Sequence, residues 1–276
     1  MEIAVGPLTF TARTVGPPNG PPVFLLHGFP EGAGCWTAVS TLLAEAGLRC
    51  VAPDQRGYSP GARPVGVDAY ALDLLVGDAL GMLDALGWQH AHLVGHDWGA
   101  IIAWVLAARH PHRVRTLTAV SVPHPAAFGA ALRDDLDQQQ RSAYLRLFRA
   151  EPGRAEEVLL AGDAVRLRGM FDGSGLDAAE VDDFVRPLLE PGALTAALAW
   201  YRAMAAPDYA AVPVVTVPTT FVWGDRDVAV GRVAALGSAA YVTGDYRFAE
   251  LPEISHWVPE QATDLLAALI LERVGP

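Results

Sequence analysis

A carboxylate between two glycines, placed where a strand pattern changes to a helix pattern, restricts the fold of this chain more than any other segment. The apolar run 92–94 is followed by a G-x-D-x-G segment from Gly95 to Gly99, and an apolar helical pattern begins at Ala100. Glycines at these positions permit a turn so tight that the central side chain projects alone above a sheet. Asp97 is therefore a candidate nucleophile, and a helix N-cap is the alternative role.

Short apolar runs alternate with helical patterns along most of the chain, which is typical of βα units and a mostly parallel sheet. Strands are predicted at 23–26, 49–52, 92–94, 116–122, 219–223 and 246–251. Helices are predicted at 36–46, 69–86, 100–110 and 260–271. We therefore predict an α/β fold with a mostly parallel central sheet flanked by helices.

The α/β alternation is interrupted in the middle of the chain, where the sequence turns helical, richer in charge and punctuated by proline and glycine. Because strand patterns resume afterwards, both ends of this insertion return to one sheet. We predict that residues 1–122 and 218–276 form the core and that residues 123–217 form an inserted helical cap. The cap is expected over the C-terminal edge of the sheet, where open α/β sheets bind ligands.

Charge and composition exclude several classes of function. The formal net charge is −11 at pH 7 and the basic residues are scattered arginines, so no nucleic-acid partner is expected. No apolar stretch is long enough to span a bilayer and the chain begins without a basic leader, so a cytoplasmic protein without a membrane partner is expected. Metal-ligand spacings and a nucleotide-binding loop are absent from the sequence, so neither a metal nor a cofactor is expected.

The tight strand-to-helix turn at residues 95–99 is called the elbow below. A nucleophile on such a turn is followed along the chain by an acid and then by a histidine, and two later segments offer these partners. Asp225 and Asp227 follow the strand at 219–223, and His256 follows the last strand. A position late in the chain, in a loop just beyond a strand end, suits a general base. Asp227 is preferred as the acid that orients His256 because it lies deeper in its loop, with Asp225 as the alternative.

A His-Gly turn after the first strong strand is predicted to complete the site. Phe29 follows His27 and Gly28 there. We expect the backbone N–H groups of Phe29 and Trp98 to form an oxyanion hole, which stabilises negative charge on an acyl oxygen. His27 itself is expected to hold the turn by hydrogen bonds.

The segments HGFPE, DQRGYS, GHDWGA, WGDRD and SHWVPE occur in this order between about residues 24 and 259. Together they resemble the epoxide hydrolases of the α/β-hydrolase superfamily, which implies an α/β-hydrolase fold with a helical cap. The resemblance also implies two catalytic cap tyrosines, Tyr144 in SAYLRLF and Tyr201 in AWYR. The alternative for each, an aromatic side chain that only packs its helix, is stronger for Tyr144, because the segment around it matches less closely. Ala199 stands where the family often has Asn, a departure that concerns cap packing.

An aspartate at the elbow indicates the substrate class. A serine nucleophile suits acyl groups, because it forms an ester that water can cleave, whereas its attack on a saturated carbon would leave an inert ether. Attack by Asp97 on a saturated carbon gives an alkyl ester whose carbonyl belongs to the enzyme. Water activated by His256 can then cleave that ester. The expected substrate is therefore an epoxide or an alkyl halide.

The cap tyrosines favour the epoxide, because an epoxide leaves as an alkoxide that needs a hydroxyl donor, whereas a halide needs only weak N–H contacts. We predict that water opens a small apolar epoxide to a vicinal diol through an alkyl-aspartate ester. The alternatives are a haloalkane or haloacid dehalogenase with the same nucleophile and, in a different class, a non-catalytic ligand-binding protein of this fold. The residues expected to contact the substrate are Phe29, Trp36, Trp98 and Trp257.

Overall fold

The computed structural model describes residues 1–275, with positions 206 and 207 described by their backbone only. Within these residues, eight strands form one sheet in the order β1-β2-β4-β3-β5-β6-β7-β8. The strands are β1 (Glu2–Val5), β2 (Leu8–Val15), β3 (Pro22–Leu26), β4 (Arg49–Pro53), β5 (Ala91–His96), β6 (Val114–Val120), β7 (Thr219–Gly224) and β8 (Tyr246–Leu251). Strands β3 to β8 pair in parallel, and β1 and β2 pair antiparallel at one edge. The predicted mostly parallel sheet is confirmed.

The helices flank this sheet and fill the long connection between β6 and β7. They are α1 (Thr37–Glu45), α2 (Leu72–Ala85), α3 (Trp98–Arg109), α4 (Pro125–Asp134), α5 (Leu136–Arg141), α6 (Leu145–Phe148), α7 (Arg154–Arg168), α8 (Ala178–Leu188), α9 (Ala193–Ala203), α10 (Ala206–Ala210), α11 (Arg232–Gly237), α12 (Val258–Gln261) and α13 (Thr263–Val274). Helices α4 to α10 lie within the segment predicted to be the cap. The division into a core of residues 1–122 and 218–276 and a cap of residues 123–217 stays a prediction.

Successive residues of the central strands pack into two separate hydrophobic clusters, as expected when side chains alternate between the faces of a sheet. Phe24 and Leu26 of β3 belong to one cluster, which includes most of α3, and Val23 and Leu25 belong to the other, with residues of α1 and α13. Strand β5 is buried at every residue. The strand that leads into the elbow is therefore fixed from both faces.

The main differences between the predicted and the observed elements concern one strand, one helix and the two strands at one edge of the sheet. Strand β6 ends at Val120 rather than at residue 122, because Ser121 adopts a φ of 65° that no strand residue has. The helix predicted at 260–271 is two helices, α12 and α13, which are separated at Ala262. Strands β1 and β2 were not predicted at all. Within residues 1–275, no helix is both long and apolar enough to cross a membrane.

Candidate active site

The elbow holds Asp97 between β5 and α3 in a strained conformation. Its φ is 51° and its ψ is −119°, outside the regions that residues with a Cβ usually adopt. The two glycines permit this turn: a Cβ on Gly99 would lie 2.0 Å from the carbonyl oxygen of Leu26, and a Cβ on Gly95 would lie 2.3 Å from that of Gly99. The Asp97 side chain makes no capping hydrogen bond to α3. Its carboxylate is thus directed away from the helix, toward the residues described next.

Three residues predicted as nucleophile, acid and base are brought together at the ends of β5, β7 and β8. His256 Nε2 lies 3.5 Å from Asp97 Oδ2, and His256 Nδ1 lies 2.8 Å from Asp227 Oδ2. Asp227 is fully buried, and its second oxygen accepts the N–H groups of Ala229 and Val230 at 2.7 and 2.9 Å. The acid is therefore held by its own loop and directed at the histidine.

The alternative acid lies elsewhere. Asp225 Oδ1 accepts the backbone N–H of Glu253 at 2.7 Å, which ties the loop after β7 to the turn after β8. Of the two carboxylates, Asp227 contacts His256, and Asp225 holds a turn instead.

The predicted oxyanion hole adjoins the carboxylate. The Phe29 N–H donates to Asp97 Oδ1 at 2.8 Å. A Cβ on Gly28 would lie 2.4 Å from the same oxygen, so glycine is needed for this close approach. Trp98 is the first residue of α3, where a backbone N–H has no acceptor within the helix. His27 is fully buried, with Nδ1 at 2.9 Å from the Gly28 carbonyl and Nε2 accepting from a backbone N–H, in keeping with a structural role.

The charges of the site oppose the effect of burial. Burial alone would lower the pKa of His256, but Asp227 and Asp97 hold it well above its ordinary value. Burial alone would raise the pKa of Asp97, but His256, His96 and the Phe29 N–H bring it below its ordinary value. At neutral pH the site therefore favours an imidazolium between two carboxylates, and Asp97 is ionised, as a nucleophile must be.

Two tyrosines from the predicted cap lie close to the residues that flank this carboxylate. Tyr201 lies in α9, with its ring centroid 5.6 Å from that of Phe29 and 5.0 Å from that of Trp98. Tyr144 ends a 3₁₀ helix, and its ring centroid lies 6.4 Å from that of Tyr201. Burial and the negative charge of Asp97 raise the pKa of both phenols, which are therefore protonated donors.

Further aromatic residues enclose the site, and sequence reasoning missed two of them. Phe148 of α6 packs against Phe29 and Tyr201, and Trp200 of α9 packs edge-to-face against Trp98. Of the residues predicted to contact substrate, Phe29, Trp98 and Trp257 belong to the hydrophobic cluster that contains Tyr201. These rings make the surroundings of Asp97 apolar.

The placement of Trp36 corrects one prediction. Its side chain is fully buried in the other hydrophobic cluster, with Val39 and Leu43 of α1, on the opposite side of the sheet from the cluster that holds Tyr201. Trp36 therefore contributes to the core and does not line the substrate site. The sequence placed it near the first βα turn, but the short 3₁₀ helix before α1 directs it inward.

A hydrogen-bond network behind His256 was not predicted. His96 Nε2 lies 2.9 Å from the His256 carbonyl and must donate to it, because a carbonyl only accepts. Burial lowers the pKa of His96 and raises that of Glu31 to about 7. We therefore assign a neutral ring whose Nδ1 accepts a hydrogen bond from the protonated carboxyl group of Glu31, at 2.9 Å. Ser121 Oγ donates to the same carbonyl at 2.8 Å, so that two residues fix the backbone of the base.

A cleft of about 1390 Å³ opens beside this network. It lies between helix α8 and the first part of the chain, and Arg13, Glu31, Phe184 and Glu260 are among its lining residues. Asp97, Asp227 and His256 do not line it. The cleft is therefore distinct from the aromatic surroundings of the nucleophile.

Comparison with known proteins agrees with this geometry. A family profile described as the alpha/beta hydrolase fold matches residues 21–263. Epoxide hydrolase A of Mycobacterium tuberculosis is 31% identical over 93% of this chain and 91% of its own length. This chain belongs to the epoxide hydrolases of the α/β-hydrolase superfamily. The predicted family and fold class are confirmed.

Two further proteins match this chain over nearly its whole length, one in sequence and one in structure. The AB hydrolase superfamily protein YfhM of Bacillus subtilis is 34% identical over 96% of this chain and 94% of its own length. An epoxide hydrolase of Bacillus megaterium, 26% identical, matches the structure with a TM-score of 0.89 over 99% of both chains. The similarity thus extends over the sheet and the helices between β6 and β7.

Proposed function

We propose that this epoxide hydrolase converts a small apolar epoxide to a vicinal diol in two steps, through an ester on Asp97. The strongest support is the set of groups that surround the Asp97 carboxylate. Asp97 faces the ring of His256 on one side and the Phe29 N–H on the other, beneath two tyrosines. The reactive groups for both steps therefore converge on the same side chain.

The first step forms the ester. Asp97 Oδ1 already accepts the Phe29 N–H and becomes the ester carbonyl oxygen, so Oδ2 attacks the epoxide carbon. As the new O–C bond forms, the C–O bond of the ring breaks, and the leaving oxygen takes a proton from Tyr144 or Tyr201. A hydroxyl donor is needed, because an alkoxide that is not protonated or hydrogen-bonded in an apolar site is costly.

The second step cleaves the ester with water. Alkylation removes the negative charge of Asp97, so that Asp227 alone sustains the raised pKa of His256. The pKa of His256 falls, its proton passes to the tyrosinate left by the first step, and the neutral ring can then accept a proton from water. The hydroxide attacks the ester carbonyl carbon, while the N–H groups of Phe29 and Trp98 stabilise the oxyanion. The bond from the carbonyl carbon to Oδ2 then breaks, and the departing alkoxide takes the proton of the hydroxyl that water left on the acyl carbon. The diol is released, and Asp97 is again a carboxylate beside a protonated His256.

The class of substrate follows from what surrounds the nucleophile. Phe29, Trp98, Phe148, Trp200 and Tyr201 are each nearly fully buried and in ring contact with a neighbour. An apolar epoxide gains by burial against these rings, whereas a haloacid would bring a second carboxylate close to that of Asp97, and the two like charges would repel.

A substrate panel tests the proposal. Aryl, aliphatic and fatty-acyl epoxides are incubated with the protein, with haloalkanes in parallel, and diol or halide release is measured. We expect diol formation from at least one epoxide and its loss in Asp97→Ala. Halide release in preference to diol would indicate a dehalogenase, and an absence of turnover across the panel would indicate a ligand-binding protein.

A further inference from the structure

Helix α5 carries a glutamine that is buried although its neighbours are exposed. Gln138 is 0% exposed, whereas Asp137, Gln139 and Gln140 are exposed. A buried amide is retained only when its polar atoms are paired. Gln138 Oε1 accepts the Gly231 N–H at 2.8 Å, and Nε2 donates to the Ala229 carbonyl at 2.8 Å.

These contacts reach the catalytic acid through one peptide group. The Ala229 carbonyl and the Val230 N–H belong to the same peptide unit, and that N–H donates to Asp227 Oδ1 at 2.9 Å. The other carboxylate oxygen of Asp227 is the one that contacts His256. A continuous series of hydrogen bonds therefore leads from the Gln138 amide to the ring of the base.

Neighbouring contacts hold the same loop, residues 227–231, against the helix. Arg141 donates from its guanidinium to the Asp227 carbonyl and pairs with Asp137 at 2.7 Å. A Cβ on Gly231 would lie 2.8 Å from the Asp137 carboxylate. The helix and the loop are therefore in close contact at Gly231.

The same amide also contacts the segment that carries a cap tyrosine. Gln138 Nε2 donates to Ser142 Oγ at 2.9 Å, and Ser142 begins the 3₁₀ helix that ends at Tyr144. Gln138 therefore links the loop that carries Asp227 to the 3₁₀ helix that carries Tyr144.

We infer that Gln138 is a positioning residue that couples Asp227 to Tyr144, an inference that rests on the proposed function. Tyr144 serves the opening of the epoxide and Asp227 serves the cleavage of the ester. Removing the Gln138 amide displaces both, so the two half-reactions slow together. A variant of Tyr144 affects only the first, and a variant of Asp227 affects chiefly the second.

The main test compares Gln138→Met with Gln140→Met, a matched control at an exposed position of the same helix. Single-turnover kinetics with an epoxide that the parent hydrolyses gives the rates of ester formation and ester cleavage. Gln138→Met should lose up to about 100-fold in each, the order of loss for a catalytic group displaced by about 1 Å. Gln140→Met should match the parent. Ser142→Ala should cleave the ester at the parental rate, because both bonds to the acid loop remain.

Two further measurements separate positioning from a general loss of stability. In a double-mutant cycle, Gln138→Met should slow ester cleavage much less in an Asp227→Asn background than in the parent, because residues that act through one another are not additive. The nearly isosteric Gln138→Glu retains a donor to Ala229 only when protonated. The rate of ester cleavage by Gln138→Glu, relative to the parent at the same pH, should therefore fall as the pH rises. This variant replaces Gln138→Met in the test if Gln138→Met does not fold.

Parental rates for folded Gln138→Met, additive effects with Asp227→Asn, or a pH-independent ratio for Gln138→Glu would each overturn the inference. Failure of the proposed function is a separate result, since it is seen in the parent alone as an absence of epoxide turnover or of an ester on Asp97.

Discussion

Removal of the two cap hydroxyls is the perturbation that separates epoxide opening from ester cleavage. Tyr201→Phe and Tyr144→Phe delete one oxygen each and keep the rings. The Tyr201 ring is 5% exposed and lies 5.0 Å, between centroids, from Trp98 and from Phe148. A phenylalanine there preserves these contacts, so both variants should remain folded.

The expected loss of alkylation rate follows from the exclusion of water from the site. One donor to a developing oxyanion in a water-excluded site contributes about 2 to 4 kcal/mol, which corresponds to about 30- to 1000-fold in rate. Tyr201 is more deeply buried than Tyr144, so its loss should cost more of the alkylation rate. In each single variant the remaining hydroxyl covers part of the loss. The double variant should therefore lose far more than either single one.

Stopped-flow fluorescence measures the effect, because the reaction occurs beside Trp98, and the alkylation phase is compared among the variants. Tyr70→Phe is a matched control, because it removes a tyrosine hydroxyl that donates to the Pro64 carbonyl and not to a group of the candidate site. Circular dichroism verifies folding. Cleavage of a preformed ester should be spared, because that step uses His256 and backbone amides. Parental alkylation by the double variant, or an equal loss in ester cleavage, would refute the assignment of the tyrosines as proton donors.

Four further predictions concern Asp97, Asp227 and His256. His256→Gln should stall as an ester, seen by intact-protein mass spectrometry as an adduct on the Asp97 peptide; an adduct on another residue would remove the assigned roles. Asp227→Asn should slow ester cleavage by up to about 10⁴-fold and Asp225→Asn should not, so comparable losses would contradict the choice of acid. In Asp97→Asn, checked by mass to retain its amide, the pKa of His256 measured by NMR should be lower than in the parent, because one of the two carboxylates that raise it is gone. In the parent, the stabilisation from the charged His256 is complete below about pH 6.5 and is lost only as the pH rises through its raised pKa; loss near pH 6 would contradict the raised value.

The reactive residues could be predicted because each follows a strand that the sequence pattern indicated. Parallel strands bring their C-terminal ends to one edge of the sheet, so the loops that carry Asp97, Asp227 and His256 had to meet once the strands were identified. The position of Asp227 two residues beyond Asp225 was enough to favour it. Which of the two contacts His256 depends on loop conformation, which the structure describes.

Contacts between distant segments could not be predicted. Gln138 reads as one polar residue in the exposed run DQQQ, and its burial follows only from the docking of α5 on the loop after β7. Glu31 and His96 lie in segments that were identified, but their pairing across 65 positions needs the fold. Trp36 was misplaced because the pattern gives an aromatic residue near the site without giving the face of the sheet on which it packs. Strand β2 was missed although Leu8, Phe10 and Ala12 alternate with polar residues, a pattern typical of a half-exposed strand.

A single turnover in ¹⁸O-labelled water tests the central claim, that the oxygen added to the epoxide comes from Asp97. With enzyme in excess over epoxide, water attacks the ester carbonyl carbon, and the diol leaves with an oxygen of the original carboxylate. Mass spectrometry of the digested protein should therefore find ¹⁸O in the peptide that contains Asp97, while the first diol formed carries none. Label in the diol and none in the peptide would mean that water attacks the epoxide directly, and the ester mechanism would be wrong.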